Sequence, residues 1–190
     1  MIGTTMRGQS PQCFFTIASA DELAHAAVLA RTLALAHPDA EVRVYAVDRP
    51  DHLPPGGLGF PLHAAEDLGI PDFDLLSATR PAQGLKAAVR PFVFAKLLQA
   101  NAFRTVTLLD PRSAVLSPME EVAAAHADGA AIVLLPRTSE PIEDGLSPDD
   151  GELARTGVLD PGFVSLDDSQ EARRLVGWWC RKAATAPRED

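Results

Sequence analysis

The sequence is poor in cysteine and in basic residues, and both shortages exclude whole classes of protein. Its two cysteines, Cys13 and Cys180, belong to no Cys-x-x-Cys pair and have no Cys/His spacing suited to zinc. Only 17 lysines and arginines stand against 26 aspartates and glutamates, which gives a formal net charge of −9. Because nucleic-acid binders usually present a basic face, we expect no nucleic-acid partner.

Long apolar runs and common hydrolytic motifs are missing as well. No stretch approaches the roughly 20 consecutive apolar residues of a transmembrane helix, so no membrane span is predicted. Residues 1–12 lack the apolar core typical of a secretory signal, and we therefore expect a cytoplasmic location. The sequence has no Gly-x-Ser-x-Gly motif, no P-loop and no Cys/His nucleophile, which leaves a hydrolase or kinase function unsupported.

What the sequence does contain is an alternation of apolar, strand-like runs with helical segments. Strands separated by helices of this length imply right-handed crossovers and a mainly parallel sheet. We therefore predict one three-layer α/β/α domain over residues 13–184, flanked by flexible termini at 1–12 and 185–190. The predicted strands cover residues 13–18, 42–47, 105–109 and 130–135, and an acidic loop leads to a short fifth strand at 162–166.

Local signals refine two of the predicted helices. Ser19, followed three residues later by Glu22, forms a capping box, which predicts a helix directly after the first strand. Pro91 stands inside the helical pattern that precedes the third strand, and a proline removes one helical hydrogen bond. We therefore expect that helix to be interrupted near Pro91.

Chemically suggestive residues stand where three of the predicted strands end. The first strand ends at Ala18 and Ser19, the second is followed by Asp48, and the third by Asp110. In open parallel sheets, ligands bind beyond the carboxyl ends of the strands, so we expect both aspartates at one edge. Each residue also has a purely structural explanation, since Ser19 can cap a helix and the aspartates can begin turns.

Three stretches carry a resemblance that covers about residues 13–183. They are "FTIASADELAHAAVLARTLALAHPDAEVRVYAVD", "LKAAVRPFVFAKLLQANAFRTVTLLDPRSAVLSPMEEV" and "GVLDPGFVSLDDSQEARRLVGWWCRKA". Their order resembles bacterial glycosyltransferases of the GT-A fold. Those enzymes have an opening strand and helix, a Val-Lys-Pro helix, a strand ending in Asp-x-Asp, and an Asn-x-Gly-Phe strand before a helix with Trp-Trp. The resemblance implies a GT-A domain that binds a nucleotide-diphosphate sugar and transfers the sugar to an acceptor, here unknown.

The Asp-x-Asp position is where this sequence departs from that family. In the family, two carboxylates hold Mg²⁺ or Mn²⁺ against the diphosphate of the donor. Asp110 stands in the first acidic position and is the candidate metal ligand, whereas Arg112 stands in the second. A guanidinium cannot ligate a divalent cation, but it can bind phosphate oxygens bidentately and supply positive charge itself. The alternative is a decayed site in which Arg112 pairs with Asp110 or faces solvent.

The resemblance also implies how a nucleotide sugar would lie on the predicted edge. The base and ribose are expected near the ends of the first two strands, and the diphosphate near the end of the third. A non-catalytic binding or scaffold domain is the alternative function, and a homo-oligomer or a partner chain that completes the site also fits the sequence. The expected donor-binding residues are Ala18, Ser19, Asp48, Lys86, Arg90, Asp110, Arg112 and, in place of the motif's asparagine, Asp160.

Overall fold

Among the described residues, six strands form one sheet, and helices cover both of its faces. The computed structural model describes residues 12–48, 60–142 and 146–185, so the termini predicted to be flexible lie outside these ranges, apart from Gln12 and Thr185. The strands are β1 (Gln12–Ala18), β2 (Glu41–Ala46), β3 (Leu62–Ala64), β4 (Thr105–Leu109), β5 (Ile132–Pro136) and β6 (Leu159–Asp167). The helices are α1 (Leu23–Ala36), α2 (Phe73–Thr79), α3 (Ala82–Gln99), α4 (Glu120–Ala127), α5 (Asp150–Thr156) and α6 (Gln170–Thr185), with short 3-10 turns at Ala20–Glu22 and Ala65–Leu68.

The strand order is β3-β2-β1-β4-β6-β5, and the sheet is mainly parallel, as the alternation of strands and helices predicts. Only β6 runs the other way, since it pairs antiparallel with both β4 and β5. The central strand β1 is apolar almost throughout because helices cover both of its faces.

Alternate residues of β1 contact the two outer layers. Phe14 faces α1 and packs with Leu29 and Leu33. Phe15 faces the opposite layer, where its ring centroid lies 4.8 Å from that of Phe94 on α3. Helix α6 packs beside α3, and Trp179 contacts Phe94 from there. The chain therefore has the three-layer α/β/α architecture expected from the sequence.

The prediction that the third helix breaks near Pro91 is wrong. Helix α3 is continuous, and Pro91 lies inside it with its side chain buried. A proline within a helix removes one backbone hydrogen bond. Val89 and Val93, on either side, are 1% and 0% exposed, so the core holds both neighbouring turns in place. Burial of these turns outweighs the lost bond.

The four main predicted strands are confirmed to within two residues at each end, but other elements differ from expectation. The fifth predicted strand, 162–166, lies within β6, whose antiparallel direction the strand and helix alternation does not reveal. The acidic loop predicted before it contains the short helix α5, which begins with a capping box: Glu152 donates its backbone N–H to Asp149 Oδ1 at 2.8 Å. Strand β3 has three residues, too few to give a recognisable pattern.

Two further findings concern the cysteines and the lengths and apolarity of the helices. Cys13 and Cys180 are free thiols, and burial raises the pKa of the Cys13 thiol to about 12, so Cys13 stays protonated at neutral pH. None of the helices in the described ranges combines the length and apolarity that a membrane crossing requires.

Candidate functional site

The carboxyl ends of β2, β1 and β4 lie side by side at one edge of the sheet. Because these three strands are neighbours and parallel, Asp48 and Asp110 flank the end of β1 at this edge, as predicted. The backbone N–H of Ala20 donates to Asp48 Oδ2 at 2.6 Å. Asp48 therefore ties the start of the first helical segment to the end of β2, while Ala18 beneath it is fully buried.

A buried ion pair joins α3 to the 3-10 turn that follows β1. Lys86 on α3 donates to both carboxylate oxygens of Glu22 at 2.7 and 2.5 Å, and the two side chains are only 7% and 12% exposed. Glu22 also accepts the backbone N–H and the hydroxyl of Ser19, which confirms the predicted capping box. Burial acts to raise the pKa of the Glu22 carboxyl, but the bonds from Lys86 and Ser19 hold that pKa below its ordinary value.

Asp110 and Arg112 form a close pair at the end of β4. Asp110 Oδ1 accepts the backbone N–H of Arg112 at 2.9 Å and its Nε–H at 3.1 Å, and Oδ2 accepts from Nη2 at 3.3 Å. Partial burial acts to raise the pKa of the Asp110 carboxyl, but the bonds from Arg112 lower it below its ordinary value. The Arg112 side chain is 59% exposed, so the pair faces solvent.

Arg90 lies beside this pair, and its donors are unused within the described ranges. It follows Lys86 by one turn of α3, is half-buried, and donates no hydrogen bond to any residue in the described ranges. Burial lowers the pKa of the Arg90 guanidinium, while the charges of Asp110 and Asp160 oppose that shift. Arg90, Asp110 and Gly162 line the same narrow cleft.

Gly162 on β6 allows the close approach that brings Asp160 next to Asp110. Its carbonyl accepts the Asp110 N–H at 2.8 Å, and its own N–H donates to Asp160 Oδ1 at 2.7 Å. A Cβ at position 162 would lie 3.0 Å from the Asp110 Cβ and 3.1 Å from Asp160 Oδ1. A side chain at position 162 would therefore require one of the two aspartates to shift.

A wider cavity opens on the other side of the β1 end, next to Asp48. It has a volume of about 300 Å³, and it is lined by Val47, Asp48, Ser77, Ala78, Arg80, Ala82 and Leu85. The first turns of α3 line this cavity, and the following turns line the cleft of Arg90. The two depressions therefore lie along one helix and together form an extended site at the carboxyl edge.

Several solved structures are similar to this chain. The apo structure of WbbM, a bifunctional glycosyltransferase, matches 96% of this chain and 35% of its own at a TM-score of 0.50 and 11% identity. The chain has the GT-A fold. It is also similar to the galactosyltransferase LgtC in complex with donor and acceptor sugar analogues (TM-score 0.47, 17% identity, 93% of this chain, 66% of that chain). A further similar structure is core-mannan synthase A from Aspergillus fumigatus in its Mn/GDP form (TM-score 0.46, 8% identity, 92% and 65%).

The GT-A domain described here spans about two thirds of LgtC, 65% of that chain in one of its structures, and about a third of WbbM. No protein-family model matches the sequence, and no curated protein sequence does.

The residues at this edge of the GT-A domain do not fit a divalent metal ion. Mg²⁺ and Mn²⁺ need several oxygen ligands, and the described residues contain no cluster of three or more histidine, cysteine, aspartate or glutamate side chains that could hold an ion. Both oxygens of Asp110, the candidate ligand, already accept hydrogen bonds from Arg112. Arg90 adds a second positive charge beside it.

Gly162→Ala tests the close approach of β6 to β4. We expect the free energy of unfolding to fall by about 1–3 kcal/mol, because the added methyl overpacks a contact between two strands. The matched control is Gly177→Ala on α6, where a Cβ would meet nothing nearer than Arg181 at 3.8 Å. That change is expected to stabilise the helix by about 0.5–1 kcal/mol. Urea denaturation followed by circular dichroism measures both, and equal effects of the two variants would contradict the crowding of position 162.

Sequence reasoning missed several residues of the site. The capping box identified Glu22, but not its pairing with Lys86, which lies 64 residues further along the chain. The Gly-Phe of the resemblance was a signal for Gly162, although its role in placing Asp110 was not predicted. Ser77 and Arg80 line the cavity beside Asp48 and carry no sequence signal of their own.

Proposed function

We propose that this GT-A domain binds the diphosphate of a nucleotide-activated sugar and serves transfer of that sugar to an acceptor. The observation that carries the proposal is Arg90, a half-buried guanidinium whose donors bind no described residue and which lines the cleft at the carboxyl edge. A guanidinium in this state is suited to a phosphate, since phosphate oxygens accept its paired N–H groups bidentately. Arg112 adds a second, exposed guanidinium, which is bonded to Asp110, one of the residues that line the cleft.

Different parts of the donor contact different residues along this edge of the sheet. We place the base and ribose in the cavity of about 300 Å³ beside Asp48. Asp48 Oδ2 accepts the Ala20 N–H, and Oδ1, which accepts no hydrogen bond from a described residue, would accept a ribose hydroxyl. The diphosphate lies against Arg90 and Arg112, and the sugar extends toward Asp160. Arg90 and Arg112 supply the positive charge that would otherwise come from a cation.

Three predicted donor residues act by positioning in this proposal. Ala18 is 0% and Ser19 is 7% exposed, so they shape the edge through the backbone of β1 and the capping box. Lys86 holds Glu22, and with it the start of the first helical segment, and contributes positive charge to the cleft over a longer distance.

A non-catalytic binding or scaffold domain is the second candidate, and the Asp110–Arg112 pair favours it. An exposed pair that occupies both oxygens of the first acidic position is also what a decayed site would contain. A partner chain that completes the site would reconcile this candidate with donor binding.

Titration calorimetry distinguishes the two candidates. UDP, GDP and their sugar derivatives are titrated into the protein in EDTA and again with Mn²⁺, with uridine and guanosine as controls that lack phosphate. We expect a nucleoside diphosphate to bind in EDTA, with little change on addition of Mn²⁺, and to weaken as salt screens the phosphate contact. Absence of binding by every nucleotide at millimolar concentration would favour the scaffold.

A further inference from the structure

We infer that Asp110 is the resident counter-anion of Arg112, displaced from it when a diphosphate binds, and not a ligand for a cation. The identity of the ligand rests on the proposed function. The inference itself rests on the three hydrogen bonds by which Arg112 occupies both Asp110 oxygens, at 2.9, 3.1 and 3.3 Å. A carboxylate and a phosphate offer a guanidinium the same pair of acceptor oxygens, so the two compete for one set of donors.

The two members of the pair differ in how firmly they are held. Asp110 is fixed by its backbone bond to Gly162 on the neighbouring strand, which is 2.8 Å long. Arg112 is 59% exposed, and its side chain bonds no described residue except Asp110. When a phosphate arrives, Arg112 can therefore turn toward it while Asp110 stays in place. Exposed ion pairs contribute little to stability, so this exchange is easily reversed.

The charges around the cleft give Asp110 a role until a ligand binds. Asp110 interacts with both guanidinium groups, because its charge acts on Arg90 and its carboxylate accepts hydrogen bonds from Arg112. Asp110 thus balances the two guanidinium groups in the free protein and opposes the negative diphosphate that replaces it. In the free protein, Asp110 occupies the donors of Arg112, and a ligand must displace it from them.

Neutralising Asp110 separates this role from that of a metal ligand, because the two roles predict changes of opposite sign. A metal ligand is needed for binding, whereas a counter-anion competes with the phosphate. Asp110→Asn should therefore bind inorganic pyrophosphate, UDP and GDP about three- to tenfold more tightly in EDTA, because a competing charge has been removed from the arginine pair.

The experiment measures the affinities of pyrophosphate, UDP and GDP in EDTA for four proteins by calorimetry. They are the wild-type chain, Asp110→Asn, Arg112→Ala, and the double variant. Arg112→Ala should weaken binding and should abolish most of the gain from Asp110→Asn, since the two residues act on each other. Asp128→Asn, an exposed aspartate at the end of α4, is the matched control and should leave every affinity unchanged. Circular dichroism confirms that each variant is folded.

The possible outcomes distinguish failure of the inference from failure of the proposed function. If Asp110→Asn weakens nucleotide binding in EDTA, Asp110 does not compete with the phosphate, and the inference fails while donor binding stands. If the wild-type chain binds only with Mn²⁺, Asp110 is a metal ligand, and the inference fails in the same way. If pyrophosphate binds more tightly to Asp110→Asn but no nucleotide binds, the inference stands and the proposed function fails. If neither pyrophosphate nor nucleotide binds to any folded variant, both are overturned.

Discussion

Replacing Lys86 by methionine is expected to lower the free energy of unfolding by about 3–5 kcal/mol. The change preserves most of the length of the side chain but removes the cation from Glu22, whose side chain is 12% exposed. The remaining bonds from Ser19 and the limited access of water replace the lost partner only in part, so a large share of the desolvation penalty falls on the folded state. Urea denaturation at pH 7, followed by circular dichroism, measures the change.

Two controls identify the ion pair as the cause. The double variant Glu22→Gln with Lys86→Met should recover more than half of the loss, because it leaves no buried charge and keeps an oxygen for Ser19. The pKa of the Glu22 carboxyl lies below its ordinary value of 4.5, so its stabilising contribution is present above pH 4.5 and is lost as the pH falls further. The difference between wild type and Lys86→Met should therefore shrink below pH 4.5. A constant difference between pH 7 and pH 3 would rule out the ion pair as its source.

Arg90→Ala is expected to weaken the binding of UDP, GDP and pyrophosphate by about 10- to 100-fold. A hydrogen bond to a charged group contributes about 1.5–3 kcal/mol, and Arg90 has its donors available for the ligand because none is used within the described residues. Calorimetry in EDTA measures the loss. Arg90→Lys should retain part of the affinity, since it keeps the charge but not the paired donors.

Arg155→Ala is the matched control for that loss. Arg155 lies on α5, its side chain is 74% exposed, and its contact with Glu152 is long at 4.0 Å. Its removal changes the net charge of the protein by the same amount as Arg90→Ala, so it corrects for any general electrostatic effect. If both variants changed the affinity equally and by little, Arg90 would not belong to the donor site.

The strands could be predicted because their signal is local. Thr105–Leu109 is a compact run of β-branched and apolar residues ended by an aspartate and a proline, and it is observed with the predicted bounds. The continuity of α3 through Pro91 could not be predicted, since it depends on core contacts that Val89 and Val93 make with other elements. The direction of β6 depends likewise on its neighbours in the sheet and not on its own residues.

The site was predictable in its position but not in its internal contacts. Parallel strands place their carboxyl ends together, so Asp48 and Asp110 could be assigned to one edge from the order of elements alone. The pairing of Lys86 with Glu22 joins residues 64 positions apart, and the approach of Gly162 to Asp110 joins two strands distant in sequence. A single sequence carries no signal for such contacts.

Because Arg112 is exposed, the residue at this position can change at little cost to the stability of the domain. The strand end is held by Gly162 and by its backbone bond to Asp110, neither of which involves the side chain at position 112. A change there costs the fold only about 0–1 kcal/mol, the usual value for a solvent-exposed ion pair. A carboxylate and a guanidinium can therefore replace one another at this position without any compensating change in the core.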